Sequence, residues 1–274
     1  MTDPTRNLSY NITIQCALDG FCFLLHDQDV NRVVDLELYQ TSETDDGSAI
    51  AEAIGKSLFR KDLYQKPLRS ARYIVDNRFN VLVPLELFDE KQRESYFFFN
   101  HELRAGYTLR HETIPSLQAV NVYAVPARQE QQLGKLWDNM LTVHRSSIFL
   151  QAALLEDPVD SPINAYVNVT NRTFDLAIVQ DQRLTFFNSF SFGTKDDFAY
   201  FLLSALKQQH LDPDIPLHFS GLISSNSEII QLCQRYLKHL YFVRHDGKIE
   251  VDKKLSDTPY QYYYIPYKSL SCAL

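Results

Sequence analysis

The sequence predicts an α/β fold with mixed sheets, built as two similar halves facing a cleft. Two observations carry this. Residues 11–26 read as a tight β-hairpin that leads into a third strand and then a helix. About midway along the chain, residues 165–179 repeat that opening, and each half then alternates helix and strand. The repeat is a supersecondary unit rather than a short solenoid period.

In the first half, strands are expected near 11–17, 21–26 and 30–40. Asp19-Gly20 supplies the first turn, because Gly tolerates positive φ and Asp tolerates the left-handed region. Residues 41–47 are polar and charged and read as a loop, with Glu43, Asp45 and Asp46 solvated in it. Ser48 can cap a helix to about Tyr64 that carries Ile50, Ile54, Leu58 and Leu63 near one face. A short strand at 71–75 turns through Asp76-Asn77 into 81–83. Pro84 then suits the first turn of a helix running to Phe97. Extended segments follow near 105–112 and 118–125, then a helix over 127–139, a strand at 141–144 and a helix capped by Ser146 or Ser147.

The segment 157–162 holds two prolines, two aspartates and a serine, and marks the domain boundary: 1–157 and 158–274. In the second half, strands are expected near 164–170, 173–180 and 183–192, with the turn at Gln180-Asp181-Gln182. Thr194 with Asp197 three residues on resembles a capping box. It opens a helix that turns Phe198, Phe201, Leu202, Ala205 and Leu206 inward. A strand at 216–219 ends at Ser220-Gly221, and a helix over 224–237 and a strand at 240–243 follow. The tail, 258–267, concentrates five tyrosines and reads either as a strand or coil packed on the body or as a partner-binding surface. Tyr96-Phe97-Phe98-Phe99 reads as core.

Composition limits the function classes. The chain has 274 residues, 45% of them apolar, with 18 Phe and 16 Tyr, so it can bury substantial cores. The formal charge is −7, with no long Lys/Arg block, which argues against nucleic acid as a partner. No apolar run approaches the roughly 18 residues of a membrane span and the first ten residues hold no apolar stretch, so neither a membrane helix nor a secretory signal is expected. Cys16, Cys22, Cys233 and Cys272 form no CxxC pair, so buried reduced thiols and a cytoplasmic location are expected. His101-Glu102 and His111-Glu112 lack metal-site spacing, so no metal is expected there.

All eight glycines are isolated, and no GxGxxG, P-loop or GxSxG occurs. A phosphate-cradling loop needs glycines so that the backbone can approach the phosphates.

The duplicated topology and its turns resemble the actin-like superfamily. More closely, Leu18-Asp19-Gly20-Phe21, Leu82-Val83-Pro84 before a helix, and the hairpin at Asn168 resemble a Bacteroidetes family of unknown function with an actin-like (ribonuclease H-like) fold. The superfamily also includes the actin-like protein of type IV pilus assembly. The resemblance implies that each half opens with a phosphate-gripping hairpin and that a later strand contacts adenosine. It places candidate nucleotide residues at Asp19, Gly20, Asn168, Thr170, Ser220 and Gly221.

Residue by residue, this chain departs from the superfamily pattern. Phe21-Cys22-Phe23 replaces small hydroxyl residues, Asn168 replaces an Asp that orients Mg²⁺, Thr170 replaces a Gly, and Ser220-Gly221 replaces Gly-Gly. A neutral Asn cannot act as a carboxylate base or offset Mg²⁺ charge. The expectation is therefore a pseudo-ATPase with no catalytic residue and no bound ATP or Mg²⁺, acting through an unknown protein partner. The alternative is a working ATPase or small-molecule kinase with Asp19 as its acid.

Overall fold

A computed structural model describes residues 9–17, 20–40, 48–60, 68–137, 139–156 and 162–272. The chain divides into two compact units, Met1–Ser147 with Asp246–Asp257 and Ser269–Leu274, and Ile148–His245 with Thr258–Lys268.

The first unit opens with β1 (Tyr10–Ala17), β2 (Gly20–Asp27) and β3 (Arg32–Gln40), an antiparallel meander. Helix α1 (Ser48–Arg60) leads to β4 (Leu68–Val75), which lies parallel to β1. An insertion follows: β5 (Asn80–Pro84), α2 (Arg93–Phe98), β6 (Tyr107–Ile114), β7 (Ala119–Pro126) and α3 (Ala127–Gly134). Strand β8 (Met140–His144) then lies parallel to β4, and α4 (Arg145–Leu155) begins. Ile12, Ile14 and Cys16 pack with Ile50 and Ile54 in this core. The insertion has its own sheet, β5-β7-β6, over Val83, Phe97, Val120 and Val122.

The second unit contains β9 (Ile163–Val169), β10 (Thr173–Gln180), β11 (Arg183–Ser191), α5 (Lys195–Gln208), β12 (Leu217–Gly221), α6 (Glu228–Cys233) and β13 (Leu240–Phe242). Its sheet order is β11-β10-β9-β12-β13. The first unit repeats that order as β3-β2-β1-β4-β8, with β14 (Glu250–Val251) added outside β3. Parallel and antiparallel pairings match strand for strand. One face of the second sheet, with Val167, Phe174, Leu176 and Phe219, packs on Phe198, Leu202 and Leu206 of α5.

Local chemistry explains most elements. Thr194 and Asp197 form the full capping box at the start of α5. Asp181 and Gln182 both take positive φ, 48° and 63°, as the two-residue hairpin turn between β10 and β11 requires.

Several elements differ from the sequence reading. The expected helix over 84–97 is broken into 3₁₀ turns at Leu85–Leu87 and Glu90–Gln92 before α2. The Tyr96 hydroxyl donates to the Leu87 carbonyl at 2.6 Å, and the Asp89 side chain caps the second turn at Lys91 N–H. Of the aromatic run, Phe97 is fully buried but Phe99 is 88% exposed. The expected helix over 224–237 shortens to α6, because Ser227 accepts from Ile230 N–H and caps it late. The tyrosine tail is neither strand nor coil: Tyr260–Tyr263 is a 3₁₀ turn and α7 (Tyr264–Ser269) a helix, with Tyr263, Tyr264 and Tyr267 buried. Within the second unit, Lys268 pairs with Glu156, which also accepts from the Tyr264 hydroxyl at 2.7 Å.

The contacts divide the chain at Ser147/Ile148 rather than at 157/158, and two C-terminal segments return to the first unit. Strand β14 pairs with Arg32 and Val33, and Ser269 Oγ lies 3.3 Å from Thr13 Oγ1. Such long-range returns leave no local shift in composition. The loop at 41–47 and the proposed boundary at 157–161 lie outside the described residues.

Candidate functional site

Four residues form one row across the second sheet. Ser189 of β11 faces Asp175 of β10, Asp175 faces Asn168 of β9, and Asn168 faces Ser220 of β12. The Ser189 hydroxyl donates to Asp175 Oδ1 at 2.5 Å, and the Ser220 hydroxyl to Asn168 Oδ1 at 3.1 Å. Asn168, Asp175 and Ser220 are buried. The alternation of a strand accounts for the row, since these side chains share the face opposite Val167, Phe174 and Phe219.

Two of the residues picked from the sequence, Asn168 and Ser220, are thus in direct contact. Thr170 turns away into its own hairpin, where its hydroxyl meets Thr173 O at 3.0 Å and its backbone N–H donates to the same carbonyl at 2.8 Å. Gly221 ends β12 with φ +87°, and a Cβ there would lie 2.0 Å from the Val169 carbonyl oxygen. Its lack of a side chain is demanded by the neighbouring strand.

Gly20 is likewise a strand residue, paired with Ala17 and Gln40, rather than a residue of the turn as the sequence suggested. A Cβ on it would lie 2.2 Å from the Tyr39 carbonyl oxygen. The next residue, Phe21, stacks on Tyr39 with ring centroids 5.0 Å apart. Asp19 lies outside the described residues.

The first unit holds a second buried polar group at the carboxyl ends of β1, β4 and β8. Arg145 and Asp76 form an ion pair with side chains only 1% and 7% exposed, and Gln15 donates to Asp76 Oδ2 at 2.6 Å. Beside it, Ser146 N–H donates to His144 Nδ1 at 3.2 Å, so Nδ1 is an acceptor and also takes the Ser146 hydroxyl at 2.6 Å. Burial, with Arg145 adjoining, holds the imidazole well below its ordinary pKa, so the ring is neutral. Asn121 donates to the Ser147 hydroxyl at 2.8 Å. The two serines therefore lie inside the first turn of α4 and bind His144 and Asn121, instead of capping the helix.

Glu112 accepts from the His144 backbone N–H at 2.9 Å. Burial pushes its carboxyl up to about 7, against the opposing pull of Ser147 and that N–H. His101 Nε2 meets the Asn80 carbonyl at 3.0 Å. Among the described residues, no three His, Cys, Asp or Glu side chains converge as metal ligands. A cavity of about 560 Å³ in the first unit is lined by Arg110, His111, Tyr123, Glu130 and Trp137, none of them a nucleotide candidate from the sequence. The four cysteines are buried and form no disulfide, and Cys16 faces Phe21 while Cys22 faces Gln15. Burial raises the Cys233 thiol to about 12.

Asp175, Ser189, Asp76 and Arg145 escaped the sequence reading. Three of them carried a signal: Asp175 is a single carboxylate in an apolar run, and Asp76 and Arg145 each follow an apolar strand at its carboxyl end, where α/β sheets place their sites; Ser189 carried none.

The repeated strand order and the two hairpins define a chain of the actin-like ATPase fold. A solved protein from Bacteroides thetaiotaomicron, with that fold and unknown function, superposes with a TM-score of 0.79 at 17% identity over 99% of both chains. A chain of the PilM–PilN type IV pilus biogenesis complex gives 0.66 at 12% identity, over 98% of this chain and 99% of that one. The protein belongs to the DUF3822 family, proteins of unknown function, whose sequence pattern matches residues 2–240. Comparison with curated protein sequences gives no match. Among the described residues, no helix is long and apolar enough to cross a membrane.

Proposed function

We propose that this chain is a degenerate actin-like protein, a pseudo-ATPase that works by binding another protein. The observation that carries the reading is the buried Asn168–Ser220 hydrogen bond. At the position where the fold's ATPases keep a carboxylate, this chain has a neutral amide whose oxygen is already engaged. Magnesium binds through hard, commonly anionic oxygens, and a lone amide oxygen held by a hydroxyl is a poor replacement.

Thr170 supports the same reading, because its hydroxyl closes its own turn. So do Gly20 and Gly221, whose small size is explained by strand backbones rather than by an approaching phosphate. Residues of this kind do not fit a magnesium nucleotide. The partner half of the proposal is supported by the PilM–PilN complex, in which a chain of this fold is part of a protein assembly.

Phosphate release from ATP with Mg²⁺, measured on the full chain and on Asp19→Asn, tests the proposal. The expected result is release no faster than buffer for both proteins. Turnover by the parent that Asp19→Asn abolishes at unchanged thermal stability would overturn it and establish an ATPase or small-molecule kinase.

A further inference from the structure

The two units share one strand order but finish their outer edges differently. In the first unit, β14 pairs with Arg32 and Val33 of β3, and the rest of β3 carries Asp35 and Glu37. In the second unit β11 takes the same place, and among the described residues no strand pairs with its outer side. At nine residues β11 is longer than the other outermost strands, β5, β6, β8, β13 and β14, which have five, eight, five, three and two. The eight-residue edge, β6, carries Arg110, His111 and Glu112.

Exposed edges are ordinarily blunted by short length, charge, proline or bulges, because they offer open backbone groups to any other strand. Beyond Arg183, β11 has neither charge nor proline through Gly193; Leu184 and Phe187 are half-buried, and Phe186 and Phe190 pack partly against the core behind the strand. Its one bulge sits near the start, opposite Ile178 and Val179, so the stretch from Phe186 onward is regular.

The open groups can be assigned. Phe192 N–H donates to the Arg172 carbonyl at 3.0 Å. Alternate residues of an antiparallel strand face the same neighbour. Asn188 and Phe190 therefore direct their backbone groups at β10, while Phe187, Ser189 and Ser191 direct theirs outward. Consistent with that, the Ser189 N–H is met by the adjacent Asn188 side chain, at 2.9 Å, and not by a strand.

We infer that β11 is a self-association edge, on which a second copy of this chain pairs antiparallel, β11 against β11. The regular stretch places the twofold axis at Ser189. Phe186 then faces the partner's Phe192, Phe187 faces the partner's Ser191, and Asn188 faces the partner's Phe190. Within the paired stretch, 186–192, neither copy carries a charge. The strand's single charge, Arg183, lies at opposite ends, about 40 Å from its counterpart at the rise of an extended strand. A parallel pairing would set the two guanidinium groups side by side. The edge is thus complementary to itself, and pairing closes both copies into one continuous sheet with no further free edge of this kind. A strand pairing of this length covers less than the roughly 1,600 Å² of a standard interface, the size class of transient contacts, so association is looked for between about 1 µM and 1 mM.

Sedimentation of the full chain across that concentration range is the test. The expected mass rises from 31.8 kDa toward twice that value. The variant Asn188→Lys/Ser191→Lys, altered only at exposed positions, remains monomeric with an unchanged circular dichroism spectrum and Tm. A spin label on Asn188→Cys, selective because the native cysteines are buried, gives a pair distance under about 20 Å. A parent that stays monomeric throughout, a folded double-lysine variant that dimerises equally well, or a dimer with labels far beyond that distance would each overturn the inference.

Discussion

Asn168 and Ser220 face each other on parallel strands, and the Ser220 hydroxyl donates to Asn168 Oδ1 at 3.1 Å with both residues buried. On the other side Asn168 faces Asp175. The amide separates a carboxyl group from a hydroxyl in a sheet interior, a place that rewards neutrality.

Restoring the carboxylate should therefore harm the protein. Asn168→Asp places a second carboxyl opposite Asp175 in the buried row. We expect a loss of about 2–4 kcal/mol at neutral pH, from desolvation and like-charge repulsion. Urea unfolding measures it. Because the new acid ionises more readily unfolded than folded, the loss should shrink as pH falls toward 4.

Gly221→Ala tests whether the strand backbone demands that glycine. Positive φ and a 2.0 Å approach to the Val169 oxygen predict a cost of at least about 2 kcal/mol. Thermal unfolding checks it, with Gly106→Ala as a partial control: φ there is +82°, but nothing lies within 4 Å of the added Cβ. The difference between the two variants isolates the steric part.

The Arg145–Asp76 pair is nearly solvent-free. Arg145→Met leaves the Asp76 carboxylate buried and should cost about 3–5 kcal/mol. Arg145→Met combined with Asp76→Leu should cost less than Arg145→Met alone. A double-mutant cycle in urea measures the coupling.

Glu112 gives a pH signature. Its folded pKa is raised from 4.5 to about 7, so the folded state holds its proton more tightly than the unfolded state does. This group's contribution is fully favourable below about 4.5 and is lost as pH rises through 7. Glu112→Gln should flatten the stability profile between those values and raise stability at pH 8, relative to pH 4, by about 3 kcal/mol. His144 acts in the opposite sense, since its lowered pKa removes stability as pH falls below the ordinary imidazole range. Denaturation from pH 4 to 8 on both proteins resolves the Glu112 part.

The order of elements along the chain was legible because the hairpin signal occurs twice and because alternation and capping are local. Thr194 with Asp197 announced α5, and Asp181-Gln182 its turn, from a few neighbouring residues. What the sequence concealed depends on distant partners. Gly20 looked like a turn glycine because its constraint comes from Tyr39, across a strand pair. Ser146 and Ser147 looked like caps because Asn121 lies on another strand. The helix expected over 84–97 was lost to Tyr96 reaching back to Leu87. In the polar row, Asn168 and Ser220 had been picked from the fold pattern and Asp175 and Ser189 joined them through cross-strand register, whereas Thr170 turns into its own hairpin.

Calorimetric titration of the full chain with ATP and Mg²⁺ tests the central claim most directly. Lapsed nucleotide chemistry predicts no saturable heat up to about 1 mM nucleotide, the weak-binding end of the affinity scale. Saturable binding at micromolar nucleotide, lost when Mg²⁺ is chelated, would contradict it.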